Sequence, residues 1–241
     1  MTIPVPRGTL LNTATVAAGS LIGLAIGSGL DDRYKQIAIG GLGLVNIGLG
    51  VKMFIQSRNV VIVAMSIALG GMLGLALGIH GGIENFADWA KSTLGATGQD
   101  HFTTGLVAAS VLFCIGPMTL VGCVEDGLEG RSELLAIKST MDGIVSIFFA
   151  AAWGYGVLLS ALVVLIFQSA LTLMAGLLRP VAKDPDVLAE ISGVGGVMLL
   201  SIALGLLDLK NLPTANFLPA LILGPVFAIA FRRLSRNRTS V

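Results

Sequence analysis

The sequence predicts an all-α protein, a polytopic transmembrane helical bundle of about eight spans. It also predicts an inverted-topology repeat relating spans 1–3 to spans 6–8. Three observations lead there. First, 54% of the 241 residues are apolar and only 12% are charged, about half the charged share of a soluble domain; mean hydropathy is +0.89. Second, charge-free runs recur at about 20 residues, the length that crosses a hydrocarbon core. Third, the basic residues fall on one side when those runs are counted as crossings.

The runs follow in order. Residues 8–30 are charge-free, and the run exceeds the 7–15 residues of a typical signal-peptide core, so it is expected to stay as span 1. Residues 36–51 form span 2, extended past Lys52 by a snorkelling side chain. Span 3 covers 59–83 and span 4 covers 101–124. Between them, Phe86, Trp89 and Ala90 beside Glu84, Asp88 and Lys91 suggest a short amphipathic helix at the bilayer surface within 82–100. Residues 143–178 hold no charge, and at 1.5 Å per residue such a run would extend about 54 Å against a core of about 30 Å. It must fold into a hairpin. Trp153-Gly154-Tyr155-Gly156 is the expected turn, with its first helix starting near Leu134. Residues 191–207 and 211–231 supply spans 7 and 8.

With the N-terminus in the cytoplasm, Arg7, Lys52, Arg58, Arg131, Lys138, Arg179, Lys183, Arg232, Arg233, Arg236 and Arg238 lie inside. Arg33, Lys35, Lys91 and Lys210 lie outside. Both termini are therefore expected in the cytoplasm. The balance of 15 Lys+Arg against 14 Asp+Glu leaves no basic face for nucleic acid. Cys114 and Cys123 are too few for a disulfide framework, and His80 and His101 form no metal-ligand spacing. No GxxxxGK[ST] loop and no nucleophile–base pair occur, so no enzyme and no cofactor are expected.

The chain also echoes itself. GGLGLVNIGLGV from Gly40 and GGVMLLSIALGL from Gly195 agree at six of twelve positions, and GTLLNTATV from Gly8 aligns more weakly with GVLLSALVV from Gly156. A displacement of five spans reverses direction in the membrane, which is an inverted repeat. The expected organisation is one integral membrane domain over 1–241, with repeat halves 8–80 and 156–232 and linking spans in 102–152. Accidental similarity between glycine-rich helices is the competing account, and close helix packing is the default role of those glycines.

Ionisable groups inside a membrane mark functional paths by default. Asp142 lies near the midplane of span 5 with Lys138 one turn before it. In span 4, GPMTLVGCVEDGLEG puts Gly116 and Pro117 at mid-membrane, followed by Thr119. Proline breaks the helix there and frees backbone carbonyls. Glu125 and Asp126 are read as solvated groups at the cytoplasmic mouth that can attract cations, and Asn12 and Asn46 as buried polar groups. Asp142 and the Gly116-Pro117 break are expected to face one another across a polar cavity. Asn12 or Asn46 would complete the coordination.

GPMTLVGCVEDGLEG followed by LLAIKSTMDGIVSIFFAAAWGYGV resembles the YdfK/YqgA-like bacterial membrane proteins, a family grouped as a domain of unknown function. The resemblance covers nearly the whole chain and implies a bacterial inner-membrane protein, without supplying a substrate or site residues. The residues themselves point to a secondary transporter of a small solute or ion; a channel and a structural or assembly protein are the alternatives. The expected partners are the lipid bilayer and a small solute or cation, with proton or sodium as the coupling ion. A homo-oligomer is compatible with this reading.

Overall fold

The computed structural model describes residues 6–94 and 101–238, and among them every regular element is helical. In chain order these are α1 (Arg7–Gly27), α2 (Asp32–Phe54), α3 (Val60–Ala76), α4 (Ile79–Leu94), α5 (Phe102–Cys114) and α6 (Pro117–Glu129). Then come α7 (Glu133–Trp153), α8 (Tyr155–Leu173), α9 (Ala175–Ala182) and α10 (Pro185–Leu206). A 3₁₀ turn (Thr214–Phe217) leads into α11 (Ala220–Arg238). Local chemistry sets several starts. Asp31 accepts from the Arg33 amide at 2.9 Å and Asn59 from Val61 at 3.1 Å. Asp184 caps α10 ahead of Pro185, whose missing N–H costs nothing at a first helical position.

Six helices are long and apolar enough to cross a membrane, and two bent pairs bring the number to eight. The pairs are α3 with α4, bent by 59°, and α5 with α6, bent by 60°. Packing directions agree with alternating crossings. Gly8 of α1 lies against Leu135 and Gly27 against Ala151, so α1 and α7 run parallel. Gly43 meets Leu207 while Gly193 meets Ser57, so α2 and α10 run antiparallel. The broken pair α5–α6 traverses the bundle. Its start, Phe102, packs on Gly156 beside the α7–α8 hairpin, and near its end Asp126 binds the Gly8 amide at the opposite, N-terminal end.

The α7–α8 turn falls where the aromatic–glycine sequence predicts it. Gly154 adopts φ 73°, ψ −146°, a conformation open essentially to glycine alone. The charge-free run 143–178 therefore divides among the end of α7, all of α8 and the start of α9, a short helix under α6 that hydropathy does not anticipate. The amphipathic helix expected within 82–100 is α4. Its Ala87 and Ala90 pack on Phe102 and Leu106, and Phe86 and Trp89 stay exposed with ring centroids 5.8 Å apart. This helix therefore covers the end of the bundle as well as presenting an aromatic face outward.

The core runs through the bundle from Phe113 to Phe149 to Trp153, whose neighbouring rings are 6.3 and 4.3 Å apart. The outer surface exposes Leu21, Ile37, Leu44, Met72, Ile166 and Ile222, the surface a hydrocarbon solvent accepts. Of the described basic side chains that the alternation assigns to one side, Arg58 pairs with Asp186 and Arg232 with Asp184 at the N-terminal end and Arg131 follows α6, whereas Lys138 is buried inside the bundle.

Candidate functional site

At the centre of the bundle, α7 carries Lys138 and Asp142 four residues apart, one above the other on the same face. Lys138 Nζ donates to Asp142 Oδ2 at 2.6 Å, and Asn12 Nδ2 of α1 donates to the same oxygen at 3.0 Å. Both charged side chains are only 9% exposed. Asparagine is short, so this contact requires α1 and α7 to approach closely. Glycines provide that approach: a Cβ on Gly19 would strike the Gly143 carbonyl, and one on Gly23 the Ile147 carbonyl. The remaining Asn12 oxygen, Oδ1, is buried and has no hydrogen-bond partner.

The break in span 4 lies at the same depth. Thr9 is 3.4 Å from Thr172 of α8, and one turn further along α8 Gln168 reaches Phe113 of α5. Pro117 has no N–H, so the Phe113 carbonyl four residues earlier loses its helical donor. It accepts instead from Thr119 Oγ1 at 3.3 Å and Gln168 Nε2 at 3.4 Å. Gly116 joins the two half-helices at φ 153°.

Several expectations require correction here. The carbonyl freed by Pro117 is held by Thr119 and Gln168 rather than left to coordinate a ligand with Asn12 or Asn46. Asp142 faces Lys138 and Asn12 rather than a polar cavity shared with Gly116 and Pro117. Asp126 is not solvated: it is buried, and its Oδ2 accepts from the Gly8 amide at 3.0 Å, where a carboxylate satisfies an unpaired N–H of α1. Asn46 lies apart on α2, its Nδ2 buried without a partner. Glu125 is half-buried on α6.

Two residues of consequence escape the sequence reading. Gln168 is a single amide inside an apolar run. Glu190 is buried on the first turns of α10 and accepts from Ser57 Oγ at 2.7 Å and from the Arg58 and Asn59 amides at 2.9 Å each. Each is a strongly polar group at the edge of, or within, a charge-free stretch, which is the signal that could have found them. Glu190 locks the α2–α3 turn to α10 at the N-terminal end.

Open space lies at the other end. One cleft of about 370 Å³ is lined by α4, α5, α10 and the segment entering the 3₁₀ turn. A second of about 530 Å³ lies among the α1–α2 turn, His101 and the α7–α8 hairpin. Neither is lined by Asp142, Gly116 or Pro117. Among the described residues no cluster of three or more His, Cys, Asp or Glu side chains can hold a metal ion.

Apolar crossings, a hydrocarbon-facing surface and a charged pair enclosed between helices define a polytopic membrane protein. The chain belongs to the protein family of unknown function DUF554, whose model matches residues 7–229. It is similar to the uncharacterized membrane protein YdfK of Bacillus subtilis (strain 168), 33% identical over 224 residues covering 91% of this chain and 94% of the relative. It is also similar to the uncharacterized protein YqgA of Escherichia coli (strain K12), 26% identical over 228 residues, covering 93% and 97% respectively. No solved structure matches it.

Proposed function

We propose that this protein is a secondary transporter of a small solute or ion in a bacterial inner membrane, coupled to a proton or sodium through Asp142. The observation that carries the reading is the enclosed Lys138–Asp142–Asn12 cluster beside a broken span. An ion pair in a water-poor interior holds only while both charges persist, because an unpaired buried charge is costly. A proton or sodium arriving at Asp142 competes with Lys138 for the same carboxylate oxygen. Lys138 lies one turn nearer the N-terminal end, and its long stem lets a released ammonium reach water there. Charge at Asp142 is thereby linked to the position of a second cation.

Helix contacts favour the inverted-repeat reading of 8–80 and 156–232. α1 packs on α8, α2 on α10 and α3 on α11, so each span touches its proposed counterpart. The Glu190 lock closes one end while clefts open at the other, as an alternating-access carrier requires of one of its states. With the basic N-terminal end in the cytoplasm, the clefts face outward. The reading needs no cofactor, no catalytic residue and no nucleic acid, and the partners are the bilayer and the transported species.

The test is flux in proteoliposomes under an imposed proton or sodium gradient, with internal pH and sodium read by dyes. Asp142→Asn should abolish coupled flux while circular dichroism and gel filtration remain those of the parent. Uptake above equilibrium that collapses with the gradient separates a carrier from a channel. Unchanged coupled flux in Asp142→Asn would overturn the assignment.

A further inference from the structure

We infer that the 370 Å³ cleft between α4, α5, α10 and the 3₁₀ turn is a binding site for a small organic cation bearing a primary ammonium group. This rests on the transporter reading and names its substrate class. The volume suits a solute of a few heavy atoms and lies at the lower end of ligand pockets.

The chemistry of the lining selects the charge. Among the described residues Glu84 is its carboxylate, and no lysine or arginine lines it. An anion would face the Glu84 carboxylate. His80 is fixed by its own backbone, whose N–H donates to Asn216 Oδ1 at 3.0 Å, and its Nε2 lies 3.3 Å from Glu84 Oε1. Among the described residues its Nδ1 is buried without a hydrogen-bond partner.

Neutral polar groups complete the lining. Ser201 Oγ and Thr214 Oγ1 lie 2.7 Å apart, a contact in which either hydroxyl can donate, and both face the cleft with lone pairs able to accept. Asn211 adds an amide, and Thr103 and Thr104 add hydroxyls. Each of these groups can accept a hydrogen bond and Glu84 is a carboxylate, so a positively charged donor complements them together. An ammonium supplies three N–H bonds and the charge together. The room around these groups exceeds what a bare metal ion would fill, which favours an organic cation.

The experiment uses the full chain purified in detergent, with titration calorimetry against methylammonium, ethanolamine and putrescine, and acetate and glycerol as anionic and neutral probes. At least one ammonium compound should bind, and acetate and glycerol should bind at least tenfold more weakly. Glu84→Gln and Ser201→Ala should each weaken ammonium binding at least tenfold. Glu84 is about half exposed, so its variant should retain the parent melting profile. No binding by any of the three ammonium compounds, equal binding of acetate or glycerol, or unaltered binding in Glu84→Gln would overturn the site. Binding without gradient-driven flux would uphold the site and overturn the transporter. Coupled flux with no ammonium binding would do the reverse.

Discussion

Replacing Lys138 by methionine leaves Asp142 enclosed, with the Asn12 amide as its only donor among the described residues. The pair is 2.6 Å apart and both side chains are 9% exposed, so little water can take over the lysine's role. Breaking one side of such a pair costs about 3–5 kcal/mol. Asp142→Asn strands the ammonium instead, and its stem can carry it towards the N-terminal end, so the lower limit, about 3 kcal/mol, applies. In Lys138→Met/Asp142→Asn neither charge remains, and the two methionine and asparagine side chains have similar volumes to those they replace. That double variant should lie within about 1 kcal/mol of the parent, because neutral groups of matching size often replace a buried ion pair without loss. The cycle therefore predicts a coupling of at least about 5 kcal/mol, above the roughly 0.5–3 kcal/mol usual for two adjacent groups. The assay is reversible unfolding in mixed micelles, followed by the fluorescence of Trp153, which is 2% exposed. Single variants with additive losses, or a double variant as unstable as their sum, would refute the argument that these charges are held by one another.

Other expected outcomes follow from the same packing. Gly23→Ile should destabilise by about 3 kcal/mol, the upper range for overpacking, because its Cβ meets the Ile147 backbone rather than a movable side chain; the same unfolding assay reads it. Glu190→Ala should remove about 3 kcal/mol by stranding two amides and a hydroxyl, and exchange of the Arg58 and Asn59 amides should accelerate. Gly154→Ala should cost about 1–3 kcal/mol from its backbone conformation alone. For sidedness, a cysteine replacing Thr93 at the end of α4 should label from outside intact cells, and one replacing Gln56 only after permeabilisation; both native cysteines are buried and should stay silent.

Much of the architecture is legible from residue type alone. Transfer into hydrocarbon depends on local composition, so the runs at 8–30 and 191–207 declare themselves without knowledge of their neighbours. The hairpin at Gly154 is equally local, since 36 uncharged residues cannot form one crossing and glycine accepts the turn. Pro117 announces a break because its missing N–H is a property of one residue. What the break does with its carbonyl was decided elsewhere, by Thr119 and by Gln168 of α8, a partner 55 positions away. Lys138 and Asp142 are recognisable as a pair from helical spacing, yet Asn12, 130 positions distant, joins them only because Gly19 and Gly23 bring α1 against α7. Asn12 and Asn46 look alike in sequence, but α1 faces α7 and α2 faces α10, so one finds a carboxylate and the other finds no partner. Asp126 and Glu190 follow the same rule: each sits near a span end, and only the meeting of helix ends turns it into the cap of another element. Hydropathy measures each helix against lipid and assigns the crossings. Polar partners depend on which faces close together, and that is set by small-residue complementarity between helices far apart in the chain.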